Sequence, residues 1–125
     1  MFPQIKYIFW IRDPRDCVIG GHLTDDLHKF GIDYPETSDE RERRAISWKF
    51  QYDLVKATPR PENWIEVRLE DFVLRQDETL KRLEKFLGIP MAKIPVKPEA
   101  LGRWKTDTDR LDFECFAPAR QEYGF

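Results

Sequence analysis

Five consecutive apolar residues, Tyr7 to Ile11, run directly into Arg12, Asp13 and Pro14, and this junction constrains the fold more than any other stretch. A short β-branched and aromatic run that is apolar on both alternating faces suits a parallel strand covered by helices on each side. A central strand is therefore expected over 5–11. Asp13 then supplies a helix N-cap, Pro14 occupies the first helical position, where its missing N–H is no loss, and Asp16 lies near the positive helix end. Strand gives way to helix within about two residues, and the helix is predicted over 13–29 with Gly31 as its stop. The glycine pair Gly20 and Gly21 weakens it internally.

Further along, Thr37 and Glu40 have the spacing of a capping box, so a second helix is expected from there. Ala45, Trp48, Tyr52 and Val55 form its apolar stripe, a core face before it is a substrate pocket, and Pro59 and Pro61 end it. A second strand is predicted over 64–69, with Ile65, Val67 and Leu69 on one face and Glu66 and Arg68 on the other. Asp77 is expected to cap a third helix carrying Leu80, Leu83, Phe86 and Leu87, closed by Gly88 and Pro90. The proline-spaced segment 91–99 reads as a surface loop. A terminal helix over 111–123 is expected to break at Pro118, whose ring would clash with the carbonyl of Glu114.

A chain of 125 residues, 41% hydrophobic, is the size of one domain and buries roughly two-thirds of its extended surface on folding. Its 21 Lys and Arg nearly balance 23 Asp and Glu, which excludes the broad basic face that duplex nucleic acid or an anionic membrane demands. Any anion site must be local. Cys17 and Cys115 lie far apart, outside any metal-binding spacing, which argues against a zinc site and fits a reducing compartment. No apolar run approaches a membrane span, and no signal pattern opens the chain. The expectation is one soluble, cytoplasmic domain.

In open α/β sheets, ligands bind beyond the carboxyl ends of the strands, and Arg12 sits at that end with a helix start behind it. Its guanidinium fork, together with N–H groups at Arg15 and Asp16, suits a phosphate. The plainer alternative pairs Arg12 with Asp13 or Asp16, so that it only closes the strand. His22 and His28 could serve as bases by chemistry, but a surface or packing role fits His22 better.

The stretch KYIFWIRDPRDCVIGG resembles the 3′-phosphate-binding segment of sulfotransferases that use 3′-phosphoadenosine 5′-phosphosulfate. WKFQYDLV, NWIEVRLEDF, TLKRLEKFLGIP, LGRWKTD and EYGF resemble later family segments in order. The resemblance implies that Arg12 holds the cofactor's 3′-phosphate, with Gly102 and Arg103 in a loop closing over it and Lys97 a basic residue upstream. Gly20 falls where the family has a serine, so a backbone N–H replaces a hydroxyl donor and forfeits about 1.5–3 kcal/mol if nothing compensates. Leu69 replaces the tyrosine of a Tyr-Glu-Asp triplet, whereas Glu70 and Asp71 remain as strand-end acceptors. Neither histidine matches a catalytic position of the family.

The family's glycine-rich lysine loop, which holds the 5′-phosphosulfate, has no counterpart among the six glycines here. The expected fold is accordingly an α/β, P-loop-like parallel sheet flanked by helices, incomplete for want of the N-terminal strand, loop and helix. The expected function is sulfuryl transfer to a hydroxyl or amine acceptor, with this chain supplying the 3′-phosphate-binding half and no catalytic base of its own. The alternative is an inactive remnant serving as a nucleotide-binding or protein-interaction module. The expected partners are the nucleotide, an unidentified acceptor, and either a further copy of the chain or a missing N-terminal half.

Overall fold

The computed structural model describes residues 2–20, 27–107 and 112–125. The chain divides into two compact units, one of Met1–Arg12 with Pro59–Leu101, the other of Asp13–Thr58 with Gly102–Phe125. The predicted centre of the 13–29 helix, with Gly21 and His22, lies outside the described residues, as does Leu111.

In the first unit, strands β1 (Tyr7–Ile11) and β2 (Trp64–Arg68) pair in parallel, with Tyr7 opposite Trp64 and Ile11 opposite Arg68. Two parallel strands among helices make this an α/β fold. Phe9 stacks on Trp64 at 5.5 Å between ring centroids. The expectation that β1 is covered on both faces is corrected here. Register and side-chain alternation place Ile8 and Trp10 on one sheet face with Ile65 and Val67. Val67 is fully buried, but Ile8 remains 38% and Trp10 47% exposed. Trp10 meets Phe72 in a T-shaped contact, with ring centroids 5.3 Å apart.

Phe72 belongs to α3 (Leu69–Leu74), a short helix that takes over where a longer β2 was expected. Leu69 thus opens a helix instead of extending the apolar strand face, and Glu70 and Asp71 lie in its first turn, where carboxylates complement the helix dipole. Asp71 pairs with Arg75 one turn later. Helix α4 (Gln76–Leu87) follows at once and buries Gln76, Thr79, Leu80 and Leu83. Asp77 is not its cap. Arg75 holds that place with the backbone alone, while Asp77 in the first turn meets Lys93 at 2.8 Å. Gly88 ends α4 at φ 75°, a left-handed conformation that favours glycine. The following loop is tied back by Gln76, whose amide donates to the Ile94 carbonyl and accepts from its N–H, each at 3.1 Å.

The second unit contains α1 (Pro14–Cys17), α2 (Glu40–Ala57) and α5 (Ala117–Tyr123), with 3₁₀ turns at Leu27–Phe30, Arg103–Lys105 and Glu114–Phe116. The helix expected over 13–29 is corrected: α1 ends at Cys17 with Val18 as its C-cap, and Gly31, at φ 72°, follows a 3₁₀ turn and not the end of a long α-helix. The cap of α2 is Asp39, not Thr37: its carboxylate accepts from the N–H groups of Arg41 and Glu42. A carboxylate is the stronger acceptor at a helix N-terminus. Thr37 braces the same turn, donating its hydroxyl to Glu42 at 2.7 Å. Pro118 does not break a helix. The helix begins at Ala117, so Pro118 lies in the first turn, where no N–H is required of it. The core of this unit is Val18, Ala45, Phe113 and Phe116, flanked by Ile19, Trp48 and Trp104. Trp48 meets Phe116 edge-on at 5.2 Å, the core role expected of the α2 stripe.

Candidate functional site

The segment Asp13 to Asp16 is built around two buried carboxylates with different tasks. Asp13 caps α1 and clasps Arg15: Oδ1 accepts from the Arg15 N–H and Nε at 3.0 Å each, and Oδ2 from Nη2 at 2.8 Å. Arg15 is only 6% exposed. The hydrogen bonding it donates to Asp13 outweighs the opposing effect of burial and holds the guanidinium more basic than usual. Its other face covers the Trp104 ring, with the guanidinium carbon 3.6 Å from the ring centroid. Such a desolvated cation–π contact is worth about 2 kcal/mol.

Asp16 reaches the same loop. Its Oδ2 accepts from the Gly102 N–H at 2.7 Å and its Oδ1 from the Trp104 N–H at 3.0 Å. One carboxylate therefore shapes the turn 102–105 from α1, although the partners are 86 and 88 residues away in sequence. Gly102 stands at φ 68°, and the Lys105 side chain folds back over it. Arg103, between the two anchored N–H groups, is exposed to solvent.

These contacts correct one sequence-based expectation. The N–H groups of Arg15 and Asp16 are not open to an anion, because the former donates to the Asp13 carboxylate and the latter to the Asp13 carbonyl at 3.1 Å. The Gly102 N–H is likewise committed to Asp16. A four-residue helix whose N-terminal donors are satisfied internally has none left for a ligand.

Arg12 takes neither of the carboxylates considered for it. Its Nη2 donates to the Ala100 carbonyl at 2.9 Å. Its Nε is buried without a hydrogen-bond partner among the described residues. Ala100 closes the 3₁₀ turn Pro98–Ala100, which Lys97 opens, so Arg12 and Lys97 serve the same turn of the first unit. Lys97 is exposed, and its carbonyl accepts from the Ala100 N–H at 2.9 Å. Gly20, in the second unit, is exposed, and a Cβ placed on it would meet nothing within 4 Å. No steric demand of the chain itself explains glycine there.

Sequence reasoning singled out Arg12, Gly20, Lys97, Gly102 and Arg103, but missed Asp13, Arg15 and Asp16 as the scaffold of the 102–105 loop. Only the close repetition of Asp and Arg in Arg-Asp-Pro-Arg-Asp hinted at a structured charge network. Among the described residues, no cluster of three or more metal-ligating side chains occurs, and no helix is long and apolar enough to cross a membrane.

A family model described as "Sulfotransferase family" matches residues 1–93. No curated protein matches the chain, and no solved structure does. The matched span includes Arg12, Gly20 and the Asp13 to Asp16 segment, and leaves Lys97, Gly102 and Arg103 outside it. With about three-quarters of its length matched, the chain belongs to the sulfotransferase family.

Proposed function

We propose that this chain binds 3′-phosphoadenosine 5′-phosphosulfate through the 3′-phosphate and so supplies that half of the donor site for sulfuryl transfer to a hydroxyl or amine. The observation that carries the reading is Arg12: a guanidinium at the carboxyl end of β1, oriented by the Ala100 carbonyl, with a buried Nε unspent among the described residues. A buried donor without an acceptor costs about 1–3 kcal/mol. A phosphate oxygen would remove that cost and add a charge-assisted bond. The residues present fit the group at this point. Lys97, exposed on the turn that Arg12 braces, adds positive field there, whereas the Gly102 N–H is spent on Asp16.

When bound, the cofactor supplies the activated sulfuryl group. The chain's own residues act at a distance from that group. Arg12 grips the 3′-phosphate, and the Ala100 carbonyl keeps its fork from rotating. Within the second unit, Asp16 and Arg15 hold the 102–105 loop. Binding energy gained at a non-reacting phosphate orients the donor without touching the reacting sulfur. A parallel, P-loop-like sheet and a cytoplasmic setting accompany this reading. The test is thermal unfolding with adenosine 3′,5′-bisphosphate or 5′-AMP. The bisphosphate is expected to protect more strongly, and Arg12→Ala to erase the difference. Equal protection by the two nucleotides would count against it.

A second reading, a protein-interaction module, is favoured by the exposure of Ile8 and Trp10. Two large apolar side chains adjacent on an open sheet face favour association. Sedimentation equilibrium tests it: concentration-dependent association that Trp10→Ser abolishes supports it, and a strict monomer at all concentrations rejects it.

A further inference from the structure

A cavity of about 590 Å³ opens on the second unit, lined among the described residues by His28, Tyr34, Glu36, Thr37, Ser38 and Arg43. We propose that it is a binding site for a small hydroxylated aryl carboxylate. The volume falls within the range of small-molecule sites, about 300–1,000 Å³. Its chemistry narrows the class. His28 and Tyr34 stack face to face, with centroids 4.1 Å apart and planes inclined by 15°, which gives the wall a flat aromatic element suited to a ring.

Arg43 is half-buried in the first half of α2, yet its guanidinium enters no ion pair or hydrogen bond among the described residues. Its neighbours behave otherwise: Arg41 grips Asp107 with two hydrogen bonds of 2.8 and 3.0 Å, and Arg44 reaches Glu40 and the Val18 carbonyl. An unspent guanidinium fork on a cavity wall calls for a planar anion such as a carboxylate. The hydroxyl of Thr37 is already engaged, donating to Glu42 and accepting from the Asp39 N–H at 3.2 Å. Ser38 and Glu36 are exposed on the same wall. A carboxylate accepts only, so Glu36 selects a ligand that also carries a donor such as a hydroxyl. Ring, anion and hydroxyl together define the class, and neither a bare inorganic anion nor a neutral ring satisfies all three groups.

The experiment is calorimetric titration of the full chain with 4-hydroxybenzoate and with its methyl ester. The acid is expected to bind saturably and the ester about tenfold or more weaker. Arg43→Gln should reduce binding of the acid to the level of the ester. Arg43→Lys should retain part of it, and His28→Ala, at an exposed position, should weaken both ligands with the fold intact by circular dichroism. Absence of saturable binding, equal affinity for acid and ester, or indifference to Arg43→Gln would each overturn the proposal.

Discussion

Asp16 accepts the Gly102 N–H at 2.7 Å, and the same carboxylate takes the Trp104 N–H at 3.0 Å. A buried acid on the first helix thereby sets the conformation of a loop late in the chain. Asp16→Ala leaves two loop N–H groups without their acceptor and is expected to cost about 2–4 kcal/mol, since each bond to a charged group contributes about 1.5–3 kcal/mol and the loop relaxes in part. Asp16→Asn keeps one acceptor oxygen and is expected to cost about half as much. Urea denaturation measures the loss. Amide exchange at Gly102 and Trp104 should accelerate in both variants before global unfolding does.

Arg15 is held by Asp13 on one side and Trp104 on the other. Lysine at this position keeps the charge but loses the planar fork and the stacking. Arg15→Lys should therefore lower stability by about 1–3 kcal/mol, read as a fall in Tm. An unchanged Tm would mean that the network is formed but energetically neutral.

Substitution at Gly102 should destabilise the fold, whereas substitution at Gly20 should not. Gly102 adopts φ 68°, so Gly102→Ala is expected to destabilise by about 1 kcal/mol. Gly20 has open space around it and no positive φ, so Gly20→Ser should leave stability within about 0.5 kcal/mol of the parent.

A polar cluster joins α2 to α5. Glu122 accepts from the Tyr52 hydroxyl at 2.6 Å and from Lys56 at 2.5 Å, and Lys56 also reaches the Tyr123 hydroxyl at 2.8 Å. Burial pushes the Glu122 carboxyl up, but the hydrogen bonds from Lys56 and Tyr52 more than offset it, so its pKa lies below the usual 4.5. Its contribution is present above that value and is lost as pH falls through the lower, folded value. Glu122→Gln should thus reduce stability at pH 7, by no more than about 1 kcal/mol for so exposed a pair, and the gap should close in acid. Burial, reinforced by Glu122, raises the Tyr52 phenol above 10.0. That contribution is complete below pH 10 and declines as pH rises further. Tyr52 should be among the last tyrosines to ionise in an absorbance titration at high pH, and Tyr52→Phe should remove that late component.

Local chemistry made much of this legible in the sequence. Asp13 and Pro14 announce the start of α1, and Gly88 the end of α4, because caps depend on neighbours within one turn. The strands 7–11 and 64–68 are legible from an apolar run and an alternating one, and a long crossover between them suits their parallel pairing. What escaped detection depends on residues far apart. The partners of Asp16 lie beyond any local window, and no periodicity reveals that Asp13 is already committed to Arg15. Burial of Ile8 and Trp10 could not be read from their hydrophobicity, since an apolar residue is as buried as its neighbours permit. Leu69 to Leu74 followed the strand pattern until Leu69, and only the structure reveals the helix.

The central claim rests on Arg12, and the most direct measurement is the pair of dissociation constants for adenosine 3′,5′-bisphosphate and 5′-AMP in the parent chain and in Arg12→Ala. The bisphosphate should bind about tenfold or more tightly than the monophosphate in the parent, and Arg12→Ala should bring the two together. Equal constants in the parent, or a preference that survives Arg12→Ala in a folded protein, would contradict the account.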